Sequence, residues 1–572
     1  MCGLAAILAT QSTSDTAARW LDKVCRAMAK RGPDGQGIWT ADGIGLGHRR
    51  LSIIDLSDNA AQPMKSADGR LAIAFNGEIY NYRTLRADLE ADGAVFVSRS
   101  DTEVLLHLYR RHGTAMFDHV RGMYALALWD EERRGLLLAR DPFGIKPLYF
   151  ADDGKTLRVA SQVKALLAGG DMDTEPDAAG HVGFHLWGHV PEPFTLYRAI
   201  RALPAGTWLW AGQNGERRQG RHFDLNAEMA AAEPGEVDVA AAITDSVAHH
   251  MIADVPVGVF LSAGIDSCAI AALSGNVRAL TVGFDALAGS QADETPEAAR
   301  MAARFGLEHD TVMIGADDFA AARQQILTDM DQPSVDGINT WMVARAARRL
   351  GWKVALSGVG GDELFGGYDT FTKISDWERW LAPLTAVPWL GRGFRLVTSS
   401  WIGRFCPPKA AGLLELGPKL ETGYLLRRGL RMPWELSQVM DADMARLGWA
   451  MLNTEAELAR AMRGIRGRAR ISALELTFYM RNQLLRDSDW AGMAHSLEIR
   501  LPLVDITLFR ALLPALVAEN PPDKADFARA CGVPDFISQR IKTGFTVPVG
   551  QWLGAGTDSR AWAAHVATAF GI

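Results

Sequence analysis

Short apolar runs separated by turn-forming residues dominate the first part of the chain. The segments 71–76, 123–129 and 135–139 are almost entirely apolar, and Gly, Asp and Asn punctuate the sequence between them. Runs of this length predict buried strands, and a helical stretch at 102–112 lies among them. The pattern therefore predicts an α+β domain built in layers.

The character of the sequence changes near residues 211–235, which are polar, contain several Gly and lack periodic apolar positions. Such a stretch is typical of a domain boundary. We therefore predict one domain over 1–212 and a second over 235–572.

Helices and short apolar strands alternate beyond this boundary. A helical segment at 238–252 precedes an apolar strand at 257–261, an apolar helix begins near Cys268, and another strand follows at 278–284. This alternation predicts a parallel sheet with crossover helices, and therefore a doubly wound α/β domain. Beyond Asp369 the chain is rich in Trp and Arg and has helical periodicity, which predicts a helical C-terminal layer.

Composition and charge narrow the functional classes. With 48% hydrophobic and 22% charged residues among 572, the chain has the composition of a folded protein. Its net charge of −7 leaves no bulk basic surface, so we expect neither nucleic acid nor a membrane as a partner. The five cysteines lack C-x-x-C spacing, which argues against a disulfide scaffold and a cysteine-rich zinc site.

The N-terminus contains a short apolar run at 4–9, but no Lys or Arg precedes Arg19. A secretory signal would need a basic segment before its apolar core. No uninterrupted apolar stretch reaches about 18 residues, the length of a membrane-spanning helix. The sequence therefore predicts a cytoplasmic protein.

Cys2 stands directly after the initiator methionine. If Met1 is removed, one residue carries both a thiol and a free α-amino group, so it could supply a nucleophile and its general base. Taken alone, the dipeptide favours an ordinary cysteine without a catalytic role.

Five further segments accompany Cys2 in the first domain: RGPDGQG at 31–37, GHRRLSIID at 47–55, FNGEIYNY at 75–82, SRSDTEVLL at 98–106 and LARDPFGIKPLYF at 138–150. Together they resemble the glutaminase domain of class II, N-terminal-nucleophile amidotransferases, in the asparagine synthetase branch. The resemblance implies a layered αββα fold of the N-terminal-nucleophile hydrolase type. It also implies that Cys2 is the nucleophile that forms a thioester with glutamine.

The same resemblance implies roles for the other glutaminase residues. Asn76 and Gly77 would form the oxyanion hole, Arg50 would clamp the glutamine carboxylate near Ile53, and Glu78 with Asp101 would hold the ammonium group. These residue types suit those roles, because Arg binds a carboxylate with two parallel donors and amide donors stabilise an oxyanion. Arg50 could equally be a surface residue. Asn76-Gly77 also has the composition of a type I′ hairpin turn, which is compatible with the functional role.

The strand at 257–261 leads into the loop Ser-Ala-Gly-Ile-Asp-Ser at 262–267. Small residues, hydroxyl groups and the start of a helix suit this loop to pyrophosphate, and no Walker-type motif is present. Asp266 fits such a loop if Mg²⁺ bridges it to phosphates. Its alternative role is to cap the helix.

The loop resembles the S-G-G-x-D-S motif of ATP pyrophosphatases. Residues 357–368, 481–485 with 493–502, and 540–545 resemble further asparagine synthetase signatures. The resemblance implies Mg²⁺ ligation by Asp266 and Asp362, and charge stabilisation by Lys542 as an acyl-adenylate forms and reacts. Taken alone, Lys542 would be an ordinary surface lysine. By the same resemblance, the residues expected to contact ATP are Leu261, Ser262, Gly264, Asp266, Ser267, Val282, Ser357 and Gly358.

The activity implied by the resemblance is that of a glutamine-dependent asparagine synthetase. Glutamine would give ammonia and glutamate, aspartate would react with ATP to form an acyl-adenylate and pyrophosphate, and ammonia would complete asparagine. An interdomain ammonia channel is implied as well. The resemblance covers essentially the whole chain and is weakest over 371–470. The oligomeric state stays open, with a homodimer as one expectation.

Three positions depart from the family pattern: Ala263 replaces a Gly, Gln162 replaces a Glu, and Val359 replaces an acidic residue near the reacting acyl group. The change at Val359 leaves the acceptor open. A second hypothesis is amidation or cyclisation of another carboxylate, as in polysaccharide or natural-product pathways. A third is a regulatory or scaffold protein with an inactive synthetase half, against which the retained Cys2, Asp266, Asp362 and Lys542 argue.

Overall fold

The described residues up to Arg221 contain two antiparallel sheets. The computed structural model describes residues 2–9, 13–401, 408–540, 547–553 and 559–572. In this part the strands are β1 (Gly3–Ala9), β2 (Gly35–Ala41), β3 (Ile44–Arg50), β4 (Met64–Lys65), β5 (Leu71–Ile79), β6 (Gly122–Asp130), β7 (Gly135–Arg140), β8 (Tyr149–Asp152), β9 (Thr156–Ala160), β10 (Arg201–Ala202), β11 (Thr207–Gly212) and β12 (Arg217–Arg221). The helices are α1 (Ser14–Ala27), α2 (Tyr82–Ala91), α3 (Asp101–His112), α4 (Val163–Gly169) and α5 (Ala178–Trp187).

One sheet has the strand order β10-β8-β9-β1-β3-β2 and the other β12-β11-β7-β6-β5-β4. Side chains alternate between the two faces of a strand. Accordingly, Leu4 and Ala6 of β1 pack against Ala72 and Ala74 of β5 between the sheets. The opposite face of β1 packs on α1 and α4, while that of β5 packs on α3. The predicted αββα layering is confirmed.

The second half contains a five-stranded sheet of the order β15-β14-β13-β16-β17, and all of its strands are parallel. Its strands are β13 (Val257–Phe260), β14 (Arg278–Phe284), β15 (Glu308–Ile314), β16 (Val354–Leu356) and β17 (Glu498–Arg500). The helices up to the signature at 357–368 are α6 (Leu225–Ala231), α7 (Val239–His250), α8 (Ile265–Leu273), α9 (Thr295–Phe305), α10 (Ala316–Asp329), α11 (Ile338–Arg349) and α12 (Gly361–Phe365). The chain leaves β13 toward β14 and later returns on its other side as β16, which creates a crevice at the carboxyl ends of these strands.

Helices make up most of the described chain beyond Asp369, and the predicted doubly wound domain with a helical C-terminal layer is confirmed. They are α13 (Thr370–Leu381), α14 (Pro388–Trp401), α15 (Pro408–Ala411), α16 (Leu413–Leu416), α17 (Leu420–Arg428), α18 (Ala442–Leu452), α19 (Thr454–Ala461), α20 (Ala469–Leu474), a π-helix (Glu475–Leu485), α21 (Arg486–Met493), α22 (Ile506–Leu516), α23 (Lys524–Ala530), α24 (Asp535–Ser538), α25 (Val549–Trp552) and α26 (Ser559–Phe570). Among the described helices, none has both the length and the apolar composition needed to span a membrane.

Buried ion pairs join the two halves. Both terminal nitrogens of Arg31 donate to the carboxylate of Asp489, at 2.7 and 3.0 Å. Arg121 pairs with Asp505 through Nε, at 2.9 Å. A buried charge is tolerated when it is paired and hydrogen-bonded, and removing one partner is costly. These pairs therefore hold the two halves in one relative position.

Candidate active sites

Cys2 is held at the start of β1 by groups from two sides. Its backbone nitrogen donates to Oδ1 of Asn76 at 2.9 Å, and its carbonyl accepts from Nε of Arg31 at 3.0 Å. The residue is 8% exposed. Burial raises the pKa of the Cys2 thiol, so the thiol is protonated at neutral pH until a base removes its proton. The nitrogen held by Asn76 would become such a base if Met1 were removed.

Asn76 and Gly77 lie in the middle of β5. Gly77 pairs with Tyr124 of β6, and the strand continues to Ile79, so the predicted hairpin turn at Asn76-Gly77 is wrong. A side chain at Gly77 would collide with Met123, because a β-carbon there would lie 2.1 Å from the carbonyl oxygen of that residue. Nδ2 of Asn76 is buried and has no hydrogen-bond partner among the described residues. The amide therefore holds the Cys2 nitrogen with its oxygen and keeps its donor available.

The remaining residues predicted for glutamine lie on or beside neighbouring elements of the first half. Arg50 ends β3 and donates to the carbonyls of Ser57, at 2.9 Å, and Asp55. Ile53 is buried in the core beside β5. Asp101 begins α3 and accepts from the backbone nitrogen of Ile79 at 2.9 Å. Burial raises the pKa of Asp101 to about 6.

Glu78 has a partner from the second half, Arg500, for which the sequence predicted no role. Arg500 of β17 lies 3.4 Å from Oε2 of Glu78 and 2.6 Å from Oε1 of Glu498. Burial and then the charge of Glu498 raise the pKa of Glu78 well above its ordinary value. The backbone carbonyl of Arg500 accepts from Ser357 at 2.9 Å. Arg500 thus contacts both candidate sites. In the sequence, only its place in the family-like segment 493–502 pointed to it.

A cavity of about 990 Å³ lies at the carboxyl ends of the parallel strands. Its walls include every residue predicted for ATP: Leu261, Ser262, Gly264, Asp266, Ser267, Val282, Ser357 and Gly358. Asp362, the second predicted Mg²⁺ ligand, lines the same cavity. The structure therefore brings together residues predicted from separate motifs.

Hydroxyl groups order the loop that follows β13. Ser267 Oγ accepts from the backbone nitrogen of Ser262 at 3.1 Å, and the two hydroxyls lie 2.8 Å apart. Helix α8 begins at Ile265 rather than near Cys268, so the predicted start of this helix is wrong. Asp266 consequently lies in the first helical turn, and Gly264 occupies the capping position. Ala263 has no left-handed backbone conformation, so this position does not require the Gly it replaces.

Close approach of two loops explains Gly358. A β-carbon there would lie 2.8 Å from Cβ of Asp266. Beyond this contact, Lys524 of α23 forms ion pairs with both Asp266 and Asp362, the latter at 2.9 Å. Burial alone would lower the pKa of Lys524, but the two carboxylates outweigh it and raise that pKa. Lys524 was not predicted from the sequence, because it lies outside the matched motifs.

The two carboxylates fit a magnesium ion bound together with phosphates. Asp266 and Asp362 converge closely enough to share one ammonium group, and both face the cavity. Mg²⁺ typically takes one or two protein carboxylates and completes its coordination with water and substrate phosphates. No cluster of three or more metal-binding side chains occurs in the described ranges. Lys542 lies outside the described residues.

A second group of acids and tyrosines also lines the cavity, and we call it the far end: Asp336, Glu363, Asp487, Tyr368 and Tyr479. Glu363 accepts from the hydroxyl of Tyr368 at 2.7 Å, while Asp336 and Asp487 face the same space. Burial and then the charge of Asp362 raise the pKa of Glu363 to about 7. Burial and then the charge of Asp336 raise the pKa of Asp487 to about 8. Val359 adds an apolar wall.

Comparison with known proteins places the chain in a family. The family model of a glutamine amidotransferase domain matches residues 1–222, and that of asparagine synthase matches residues 238–569. Asparagine synthetase [glutamine-hydrolyzing] 1 of Bacillus subtilis is 32% identical, over 97% of this chain and 88% of that protein. Asparagine synthetase B [glutamine-hydrolyzing] of Escherichia coli is 33% identical, over 61% of this chain and 62% of that protein. Amidase chry2 of Gibberella zeae is 32% identical, over 60% and 54%. The chain belongs to the asparagine synthase family, with a glutamine amidotransferase domain preceding the asparagine synthase domain.

Proposed function

We propose that this protein transfers the amide nitrogen of glutamine to a carboxylate and consumes ATP in doing so. A glutaminase domain at 1–212 would release ammonia, and a synthetase domain at 235–572 would activate the acceptor. The observation that supports the proposal most directly is the cavity at the carboxyl ends of the parallel strands. Eight residues predicted for ATP and two carboxylates predicted for Mg²⁺ line this one space.

In the glutaminase half, the Cys2 thiol attacks the amide carbon of glutamine. The α-amino group that is exposed on removal of Met1 takes the thiol proton and passes it to the leaving ammonia. Nδ2 of Asn76 and the backbone N–H of Gly77 stabilise the oxyanion. Arg50 holds the glutamine carboxylate near Ile53, and Glu78 with Asp101 holds the ammonium group. Water then cleaves the thioester to glutamate.

In the synthetase half, the acceptor carboxylate attacks the α-phosphate of ATP, and pyrophosphate leaves. Asp266 and Asp362 would hold Mg²⁺, which neutralises phosphate charge when bound. The loop from Ser262 to Ser267 donates to the phosphates, and Lys524 moves from its carboxylate partners toward them. Lys542 stabilises charge in the acyl-adenylate. Ammonia then attacks the acyl carbon, and AMP leaves.

The acceptor has two candidates. Aspartate is supported by the names of the Bacillus subtilis and Escherichia coli relatives. A different carboxylate is supported by Val359, which lacks the charge of the usual acidic residue, and by the relative named as an amidase. Both candidates share the same chemistry up to the acyl-adenylate.

Pyrophosphate release from the full chain tests the proposal. The purified protein is given Mg²⁺-ATP, glutamine and one carboxylic acid at a time, with aspartate included. Acid-dependent release together with an amide product supports the proposed reaction, and asparagine as that product identifies aspartate as the acceptor. Glutamate formation without acid-dependent release across a broad panel would contradict it.

A further inference from the structure

The acids that line the cavity fall into two groups, which differ in whether they form ion pairs. At the nucleotide end, Asp266 and Asp362 pair with Lys524, and Glu294 lies 3.6 Å from Arg540. At the far end, none of the acids that line the cavity forms an ion pair with a described Lys or Arg. These far-end acids are Asp336, Glu363 and Asp487.

The partners of the three far-end acids are neutral donors. Asp487 accepts from the Trp490 indole at 2.7 Å and from the Ser334 hydroxyl at 2.8 Å. Asp336 accepts from the backbone nitrogen of Gly337 at 2.9 Å. Arg486 is close enough to lower the pKa of Asp487, but its guanidinium donates to the carbonyl of Val190. Neutral donors satisfy single oxygens but bring no positive charge that would favour the ionised carboxylates, which agrees with the raised pKa values of Glu363 and Asp487.

Glu363 is the clearest case of an unsatisfied group. The residue is 1% exposed, and its Oε2 has no hydrogen-bond partner within the described part of the chain. Its other oxygen accepts from Tyr368. A buried carboxylate oxygen without a donor is costly, so a bound ligand that supplies a donor would recover this energy.

The three acids surround one space. A β-carbon at Gly337, which follows Asp336, would lie 3.0 Å from Cγ of Asp487. Burial and then the charge of Asp336 raise the pKa of Tyr479, the charge of Arg428 lowers it, and the charge of Glu363 raises it. Tyr479 therefore lies within electrostatic reach of both acids, and its ring lies 5.8 Å from that of Tyr368. The negative charge of Asp336 also raises the pKa of Asp487, because it disfavours the ionised form of that carboxyl group. A single small cationic group in this space would interact with all three carboxylates.

We propose that the acceptor is a monocarboxylic acid that carries an ammonium group, bound by Glu363, Asp336 and Asp487, and that it has no second carboxylate. This inference rests on the proposed function in one respect: the amidation requires that the acceptor has a carboxylate that reacts. The ammonium group supplies the missing donors and the opposite charge. A second carboxylate, as in aspartate, would meet three acids, whereas the cations near them already have acidic partners. Lys524 pairs with Asp266 and Asp362, and Arg428, which lies over the ring of Tyr479, pairs with Glu475. The apolar side chain of Val359 suits methylene groups between the two ends of the acceptor.

Two kinds of measurement test this acceptor class. The first is pyrophosphate release with ammonium chloride as the nitrogen source, comparing β-alanine, γ-aminobutyrate and δ-aminovalerate with aspartate, succinate, butyrate and glucuronate. The second is thermal unfolding with millimolar putrescine, a diamine that cannot be adenylated. We expect release with at least one amino monocarboxylate to exceed release with every other acid, and putrescine to raise Tm by about 2 °C.

Variants connect both readouts to the carboxylates. Glu363→Gln retains an acceptor for the Tyr368 hydroxyl, and Asp487→Asn retains one for Trp490, but neither replacement can ionise to pair with an ammonium group. Each should raise KM for the amino acid by about tenfold or more and abolish the putrescine shift. Asp443→Asn on α18 is the matched control, because this carboxylate is 87% exposed and does not line the cavity. It should change neither readout.

The outcomes separate the acceptor class from the proposed reaction. A putrescine shift that depends on Glu363, without release from any acid, would support the cationic subsite and contradict the amidation. Release that is strongest with aspartate, succinate or an uncharged acid would overturn the acceptor class while supporting the amidation. The absence of a putrescine shift in the unmodified protein would also overturn the acceptor class.

Discussion

The glutaminase site and the synthetase cavity differ in how their polar and charged groups are held. Around Cys2, several polar groups are held by single hydrogen bonds, as when Asn76 accepts from the Cys2 nitrogen and Asp101 from Ile79, although Glu78 pairs with Arg500. At the nucleotide end of the synthetase cavity, charged groups pair with one another, as Lys524 does with Asp266 and Asp362. The first arrangement suits one small substrate in a fixed position. The second suits ligands that bring charge of their own and rearrange the pairs when they bind.

This difference predicts that the two sites can be inactivated separately. Cys2→Ala should lower glutamine-dependent pyrophosphate release by more than about a thousandfold, because the attacking atom is lost. Release with ammonium chloride should be retained, because the synthetase cavity is unchanged. Cys25→Ala removes another buried thiol and serves as the control. Loss of both activities in a folded Cys2→Ala protein would contradict two separable sites.

The converse variant is Asp362→Asn. It removes one charge of the pair that Lys524 bridges, so acid-dependent pyrophosphate release should fall by about a hundredfold or more. Glutamine hydrolysis should change little, because the glutaminase site lies outside the cavity that Asp362 lines. Parallel assays of glutamate and pyrophosphate give both values from one preparation. An equal loss of both products would show that the cavity controls the glutaminase site.

The burial of Asp101 predicts a pH dependence that is confined to glutamine binding. Its pKa of about 6 lies above the ordinary value, and only the ionised form attracts the ammonium group. The dissociation constant of glutamine should therefore rise as pH falls below 6, by about tenfold per unit well below this pKa. Calorimetry on Cys2→Ala measures it without turnover. Asp101→Asn should bind glutamine weakly at every pH, and an unchanged pH profile in this variant would contradict the assignment.

Arg500 contacts both sites, but its side chain contacts one and its backbone contacts the other. Its side chain pairs with Glu78, whereas only its backbone carbonyl accepts from Ser357. Arg500→Lys retains the charge but loses the planar donor arrangement, so KM for glutamine should rise by roughly threefold to tenfold. KM for ATP should stay the same, because the backbone contact is kept. A rise in KM for ATP of equal size would mean that the side chain also supports the nucleotide end.

Much of the architecture was predictable because it depends on local periodicity. Short apolar runs between turn residues identified the layered first domain, and short strands between helices identified the parallel sheet. Local geometry was harder to predict. Asn76-Gly77 has a turn composition, yet pairing with β6 keeps it in an extended strand. The start of α8 was misplaced because a Gly, rather than a polar side chain, occupies its capping position.

The sequence by itself determined the fold class, the family resemblance and the residues predicted for glutamine and ATP, because these depend on short segments with their own spacing. The tertiary structure alone decided which distant residues share a site. Lys524 reaches Asp266 across 258 positions, and Arg500 reaches Glu78 across the domain boundary. The acids at the far end come from three separate segments, and only packing shows that they lack cationic partners within the described chain. Charge compensation depends on distance in space, so no pattern along the chain could reveal it.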